Sequence, residues 1–135
     1  MKNKLFITAL FISLLGIFNV QAKTPIEEGK SIFTTRCAAC HSVNKVLTGP
    51  ALAGIDERRS IDWIINFIHS SQTMVKEGDK DAIAIFEKFN KIPMPDHRDI
   101  SEEKIKSIVE YIKSETAAAA AVTQIKKPGK TTWLE

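Results

Sequence analysis

The feature that most limits what this chain can fold into is the five-residue segment 37–41, which reads Cys-Ala-Ala-Cys-His. Its two cysteines are the only ones among the 135 residues, so a small fold held together by several disulfides is excluded. The pattern Cys-x-x-Cys-His is typical of covalent c-type haem attachment. Two thiols at this spacing can each add to one haem vinyl group, and the next residue can bind the iron. We therefore expect haem thioethers at Cys37 and Cys40, and His41 as an axial iron ligand.

Three other kinds of site use closely spaced cysteines. A zinc site needs more ligands, and outside the segment the chain offers only His69 and His97 and no further cysteine. A thioredoxin-like redox pair needs a strand–helix setting, which the sequence does not indicate. A structural disulfide suits an oxidising compartment, but it would leave His41 without a role. Haem attachment is the interpretation that uses all three side chains.

The first 22 residues have the pattern of a secretory signal peptide. Two lysines precede an apolar run over residues 5–18, and the segment ends in the small residues Val20 and Ala22. The run is shorter than the roughly 20 residues of a membrane-spanning helix, which favours cleavage after Ala22 over retention as an anchor. We predict export to the periplasm, with no stable membrane insertion once residues 1–22 are removed.

Length and charge narrow the class of protein further. A chain of 135 residues suits one domain. A formal charge of +3 with 26% charged residues argues against a polybasic nucleic-acid binder. Without the signal peptide the charge is nearly balanced and aromatic residues are few, so the chain can build only a modest core.

Apolar periodicity predicts an all-α fold of about four helices. The first opens at Thr24-Pro25, with Glu27 completing a capping box. The second follows Ser60, the third runs from about residue 79 to 90, and the fourth follows Ser101. An alanine run over residues 117–121 can extend the last helix, and a basic tail reaches residue 135.

Two long segments between these helices, 42–59 and 91–99, contain glycine and proline and have no periodicity. Loops of this length are unusual in a plain helical bundle, so we expect them to wrap around something that is not polypeptide. The apolar residues expected to face it are Leu52, Ile55, Ile65 and Phe67.

The sequence resembles the class I cytochromes c, in particular the small single-haem bacterial ones, over residues 25–114. Gly29 and Phe33 stand eight and four residues before Cys37, where that family places the small and aromatic residues of its N-terminal helix. Ile108 and Tyr111 look like their partners on the C-terminal helix. The resemblance implies a cytochrome c fold around one covalently bound haem c, with a domain over residues 23–116 and an Ala-rich extension and basic tail over 117–135.

The resemblance also implies the remaining parts of the haem site. Gly49-Pro50 is similar to the family's Gly-Pro, whose proline carbonyl accepts a hydrogen bond from the iron-bound histidine, so Pro50 would orient His41. Met94, between Pro93 and Pro95, stands where the family supplies the second axial ligand. The alternatives for that position are Met74, His69 and His97, or an open sixth site. Apart from the resemblance, Trp63 is expected to pack in the core from the second helix; the alternative is a place beside the haem, with its indole N–H toward a propionate.

The function that the resemblance implies is one-electron transfer in a respiratory chain, not enzymatic catalysis. The donor would be a quinol-oxidising complex and the acceptor a terminal oxidase or reductase. Two alternatives stay open. One is an accessory haem subunit docked through residues 117–135. The other is a haem sensor or enzyme with a labile sixth ligand, in which carbon monoxide would bind the ferrous iron rapidly.

Overall fold

A computed structural model describes residues 22–125, and every regular element in that range is an α-helix. This confirms the predicted all-α fold class. The five helices are α1 (Pro25–Arg36), α2 (Ile55–Arg58), α3 (Ile61–Lys76), α4 (Lys80–Lys88) and α5 (Glu102–Ile125). The one-turn helix α2 lies in a segment predicted to be irregular, because a single turn is too short to show apolar periodicity.

The helices begin at the capping residues that the sequence indicates. Thr24 accepts a hydrogen bond from the backbone of Glu27, whose side chain accepts one from the backbone of Thr24. Ser60 and Asp79 cap α3 and α4 in the same way. Each side chain satisfies a backbone N–H that the first helical turn leaves free.

Helix α4 is shorter than predicted, ending at Lys88 instead of near residue 90. Asn90 and Lys91 have φ angles of 57° and 59°. This left-handed conformation cannot continue a right-handed helix. It turns the chain into the segment that carries Met94.

The core of the fold is the crossing of α1 and α5. A Cβ atom added to Gly29 would lie 1.9 Å from the backbone oxygen of Ser107, so the two backbones touch. One turn further along, the rings of Phe33 and Tyr111 pack with their centroids 5.4 Å apart. Gly29 therefore allows a close crossing, which lets both helices bury the apolar side chains on their facing sides.

Helix α5 continues without a break through the alanine run to Ile125. Beyond Thr116 its residues are exposed apart from Ala119, which is partly buried. The predicted signal peptide, apart from Ala22, and the tail after Ile125 lie outside the described residues. Between residues 22 and 125, no helix combines the length and the apolarity needed to cross a membrane.

Candidate functional site

The His41 ring is fixed by two neighbouring residues of the loop that follows it. Its Nδ1 lies 3.1 Å from the carbonyl oxygen of Pro50, to which Nδ1–H donates. This tautomer leaves the lone pair of Nε2 free for a metal ion. A Cβ atom added to Gly49 would lie 2.4 Å from Cε1 of the ring, so only glycine lets the loop come this close.

Backbone hydrogen bonds hold this loop against the end of α1. The N–H of His41 donates to the carbonyl of Cys37 at 2.9 Å, and that of Gly49 donates to the carbonyl of Cys40 at 2.9 Å. Further along, the N–H of Ala53 donates to the carbonyl of Val43 at 2.8 Å. The 42–53 loop is therefore an ordered support for the histidine ring.

The two cysteines are not joined to each other in the structure, so the disulfide alternative is not realised. Cys37 is half-buried and Cys40 is exposed. Burial raises the pKa of the Cys37 thiol above its ordinary value, more than the neighbouring Arg36 lowers it.

A large apolar cavity opens beside the Cys-x-x-Cys-His segment. It encloses about 1370 Å³ of empty space, part of which opens to solvent. Cys37, Cys40 and His41 line it, and Met94 lines it too. The other walls come from loop 42–53 and all the helices; they include three of the four predicted apolar residues, namely Leu52, Ile55 and Phe67. The fourth, Ile65, is buried in the helical core instead.

These residues fit a covalently attached haem. Both thiols face the same cavity as the His41 ring, whose Nδ1 is already engaged with Pro50. The walls are mostly aliphatic and aromatic, as a large apolar macrocycle requires. Cys37 and Cys40 would hold the haem, and His41 would bind its iron.

The segment that carries Met94 has no regular secondary structure. Pro93 and Pro95 flank the methionine and line the cavity beside it. The hydroxyl of Ser71, on α3, donates to the carbonyl oxygen of Met94 at 3.4 Å. The side chain of Met94 is thereby kept next to the cavity by a loop that is attached to a helix.

The other candidates for the second axial position lie in different surroundings. Met74 does not line the cavity. His69 donates from Nε2 to the carbonyl oxygen of Ile100 at 2.9 Å. His97 does line the cavity, but its Nδ1 lies 3.3 Å from Nη2 of Arg36, which donates to it. Only Met94 and His97 of these residues therefore border the same space as His41.

His97 is buried, with 9% of its surface exposed. Burial lowers its pKa, and the nearby Arg36 lowers it further, against the opposing effect of Asp99. Arg36 also forms an ion pair with Asp99 at 2.8 Å. No sequence signal marks this cluster, because its members come from the end of α1 and the loop before α5.

Trp63 borders the cavity, and its N–H is engaged within the protein. The indole nitrogen donates to the carboxylate of Asp79 at 3.2 Å. The ring stacks on Phe67, with a centroid distance of 4.8 Å, and the guanidinium of Arg59 lies 5.2 Å from the ring centre. Trp63 therefore packs against the helical core as expected, and its donor is taken by Asp79, the cap of α4.

Comparisons with known proteins agree with this fold. The family model for cytochrome c matches residues 26–116. The cytochrome c-553-like protein of Synechocystis sp. is 38% identical over 52 residues, 38% of this chain and 50% of that protein. The chain thus spans about half the length of the curated relative that it matches.

Two solved structures are similar over most of the described domain. Cytochrome c from Rhodothermus marinus is 26% identical, with a TM-score of 0.62, covering 70% of this chain and 78% of that one. An engineered cytochrome c from the same organism, bound to a carbene intermediate, is 25% identical, with a TM-score of 0.58 and coverage of 69% and 78%. The chain belongs to the cytochrome c family and is a small class I c-type cytochrome that carries one covalently attached haem c.

Proposed function

We propose that this protein is an exported one-electron carrier of a respiratory chain, in which His41 and Met94 bind the haem iron from opposite sides. Cys37 and Cys40 form the thioethers, and Pro50 orients His41. The observation that carries the proposal is that a single cavity is lined by both thiols, by the Pro50-bound His41 and by Met94. The bound haem supplies an iron that cycles between Fe(III) and Fe(II).

The residues of this chain fit electron transfer better than catalysis. Pro50 holds His41 in the tautomer that binds a metal through Nε2, and it raises the basicity of the ring. Met94 supplies a thioether that favours the reduced iron and occupies the position where a substrate would bind. Because both ligands sit on supported loops, the protein would change oxidation state with little rearrangement.

Export and partners belong to the same proposal. The lysines and the apolar run of residues 1–22 support passage to the periplasm with cleavage after Ala22. Redox proteins are the partners, with a quinol-oxidising complex as donor and a terminal oxidase or reductase as acceptor. Neither nucleic acid nor stable membrane insertion is part of the proposed role.

A haem enzyme or sensor with a labile sixth ligand is the second candidate. The observation that favours it is the engineered Rhodothermus marinus relative, which binds a carbene intermediate. In the present chain, Met94 would have to leave the iron before any such molecule could bind. The two functions therefore differ in how readily Met94 would dissociate from the iron.

Optical spectra of the purified holoprotein test the proposal. We expect a low-spin c-type spectrum when reduced, a weak near-infrared methionine-to-iron band when oxidised, and slow binding of carbon monoxide. Met94→Leu, which conserves volume, should abolish the band and speed carbon monoxide binding. Met74→Leu, a matched change outside the cavity, should leave both unchanged.

Two results would contradict the proposed function. Persistence of the near-infrared band in Met94→Leu would remove Met94 from the iron. A high-spin spectrum with rapid carbon monoxide binding in the unaltered protein would favour the sensor or enzyme.

A further inference from the structure

Helix α3 is interrupted at Ser70. This residue has φ −162° and ψ 90°, an extended conformation between two helical stretches. Its hydroxyl oxygen lies 3.4 Å from the backbone N–H of Thr73, which donates to it. Ser70 thus caps the second half of α3 as Ser60 caps the first. The chain therefore forms two consecutive helical stretches that are separated by a break at Ser70.

The interruption is where the Met94 segment attaches. The carbonyl of Ile68 accepts a hydrogen bond from the backbone N–H of His97 at 3.1 Å. Ser71 donates to the carbonyl of Met94 at 3.4 Å, and His69 donates to the carbonyl of Ile100 at 2.9 Å. We call these three hydrogen bonds between residues 68–71 and 94–100 the α3 seam.

Other side-chain hydrogen bonds reach only the later residues of the segment: Arg36 donates to Nδ1 of His97 at 3.3 Å, and Arg98 donates to the hydroxyl of Thr73 at 3.3 Å. Pro93 and Pro95 have no N–H to donate. Within the described chain, the backbone hydrogen bond from His97 to Ile68 is the only one that ties residues 93–97 to a helix. The side-chain bond from Ser71 is therefore the attachment nearest to the methionine.

Ser71 is placed to act on the iron site. It is 3% exposed and lines the same cavity as Met94. A buried hydroxyl is costly unless it forms a hydrogen bond, and its partner here is the carbonyl of Met94 itself. The direction of the Met94 side chain follows from where that carbonyl is held, because the two share one Cα.

We propose that the α3 seam positions Met94 at the haem iron and that Ser71 is its principal positioning residue. The proposal rests on the proposed function, in which Met94 is an axial ligand. Without the Ser71 hydroxyl, the Met94 carbonyl loses its helical anchor and the thioether spends more time off the iron. The fold, held by the crossing of α1 and α5, stays intact.

The test compares Ser71→Ala with Ser114→Ala in the oxidised holoprotein. Ser114 donates to the carbonyl of Tyr111 within α5, so its variant removes a hydroxyl away from the seam. Exogenous imidazole can bind only when Met94 leaves the iron. We expect Ser71→Ala to bind imidazole about threefold more readily, as loss of one long hydrogen bond implies, and Ser114→Ala to match the unaltered protein.

Heating gives a second measure that a merely structural role would not reproduce. In Ser71→Ala the near-infrared band should disappear at a lower temperature, while helix loss, followed by far-ultraviolet circular dichroism, stays near that of the unaltered protein. His69→Leu removes the seam contact to Ile100. It should likewise increase imidazole binding and lower the temperature at which the near-infrared band disappears. It provides the test if Ser71→Ala yields no holoprotein.

Imidazole binding within twofold of the unaltered protein in both seam variants would overturn the proposal. The proposal would also be overturned if, on heating Ser71→Ala, the near-infrared band and the far-ultraviolet helix signal were lost at the same lowered temperature. These outcomes differ from failure of the proposed function, which would appear in the unaltered protein as a missing band, or in Met94→Leu as a retained one.

Discussion

Gly49 and Pro50 act as a pair on the His41 ring. Gly49 lets the backbone approach the ring, and Pro50 then presents its carbonyl to Nδ1. A larger residue at position 49 would displace either the ring or the loop. With His41 as the proposed iron ligand, the glycine would have an electronic consequence, because the hydrogen bond that it permits would increase the electron donation of His41 to the iron.

Gly49→Ala should raise the reduction potential of the haem. Its Cβ would meet the His41 ring at 2.4 Å, weakening the bond to Pro50 and with it the stabilisation of Fe(III). If the oxidised state loses about 1 kcal/mol of stabilisation, the one-electron reduction potential rises by an amount on the order of 40 mV. Potentiometric titration of the holoprotein measures the change.

Gly78→Ala is the control for this variant. Gly78 has a positive φ, 87°, and apart from its chain neighbours no heavy atom lies within 4 Å of the position its Cβ would take. It should lower stability and leave the potential unchanged. Equal potentials in Gly49→Ala and the unaltered protein would show that the hydrogen bond to Pro50 does not tune the iron.

At the scale of elements, the crossing of α1 and α5 sets the geometry of the site. Helix α1 ends at Arg36, directly before Cys37, and the Met94 segment ends where α5 begins. The ion pair between Arg36 and Asp99 joins these two ends. The crossing thus fixes the distance between the haem attachment segment and the segment that carries the second proposed ligand.

Gly29→Ala should destabilise the protein without altering its haem spectrum. A Cβ 1.9 Å from the Ser107 backbone oxygen would push the helices apart, and overpacking of this kind costs about 3 kcal/mol. Denaturant unfolding of the holoprotein measures the loss, with the exposed Ser31→Ala on the same helix as control. If Gly29→Ala lowered the free energy of unfolding by no more than about 0.5 kcal/mol, the usual range for a surface change, the result would contradict so close a crossing.

Features set by neighbouring residues were predictable from the sequence, and features set by distant ones were not. The caps Thr24 and Ser60 depend on side chains within one turn, so both were identified. The break at Ser70 was missed because the flanking residues Ser71 and Ile68 bond to Met94 and His97, which lie more than twenty residues away. The pairing of Trp63 with Asp79 was missed because the two residues are 16 positions apart, one on α3 and one at the cap of α4, beyond the reach of local patterns.

At the scale of the whole molecule, the long loops and the helices together enclose one cavity. Its walls draw on every helix of the described chain and on both long loops. The end of α5 has no part in this, since residues beyond Ile112 do not line the cavity. The structure thus separates a compact haem-binding part from an exposed helical extension.

Removing residues 117–135 should leave the haem domain folded and spectroscopically unchanged. Val122 and Ile125 are 63% and 85% exposed, so their loss costs little burial. A free carrier would keep its electron-transfer rate with its native partner. A drop of tenfold or more, with spectrum and melting temperature unchanged, would instead favour the accessory-subunit alternative, in which the extension docks on a larger complex.

The crossing of α1 and α5 also has a consequence for the order of events during synthesis. The hydrogen bond from Ser107 to Glu28 spans 79 positions of the chain. A chain that emerges with its N-terminus first cannot close this contact until most of the domain has followed. During that interval the thiols of Cys37 and Cys40 are accessible, whereas in the closed structure Cys37 is half-buried. The fold therefore leaves a period for covalent haem attachment before it closes.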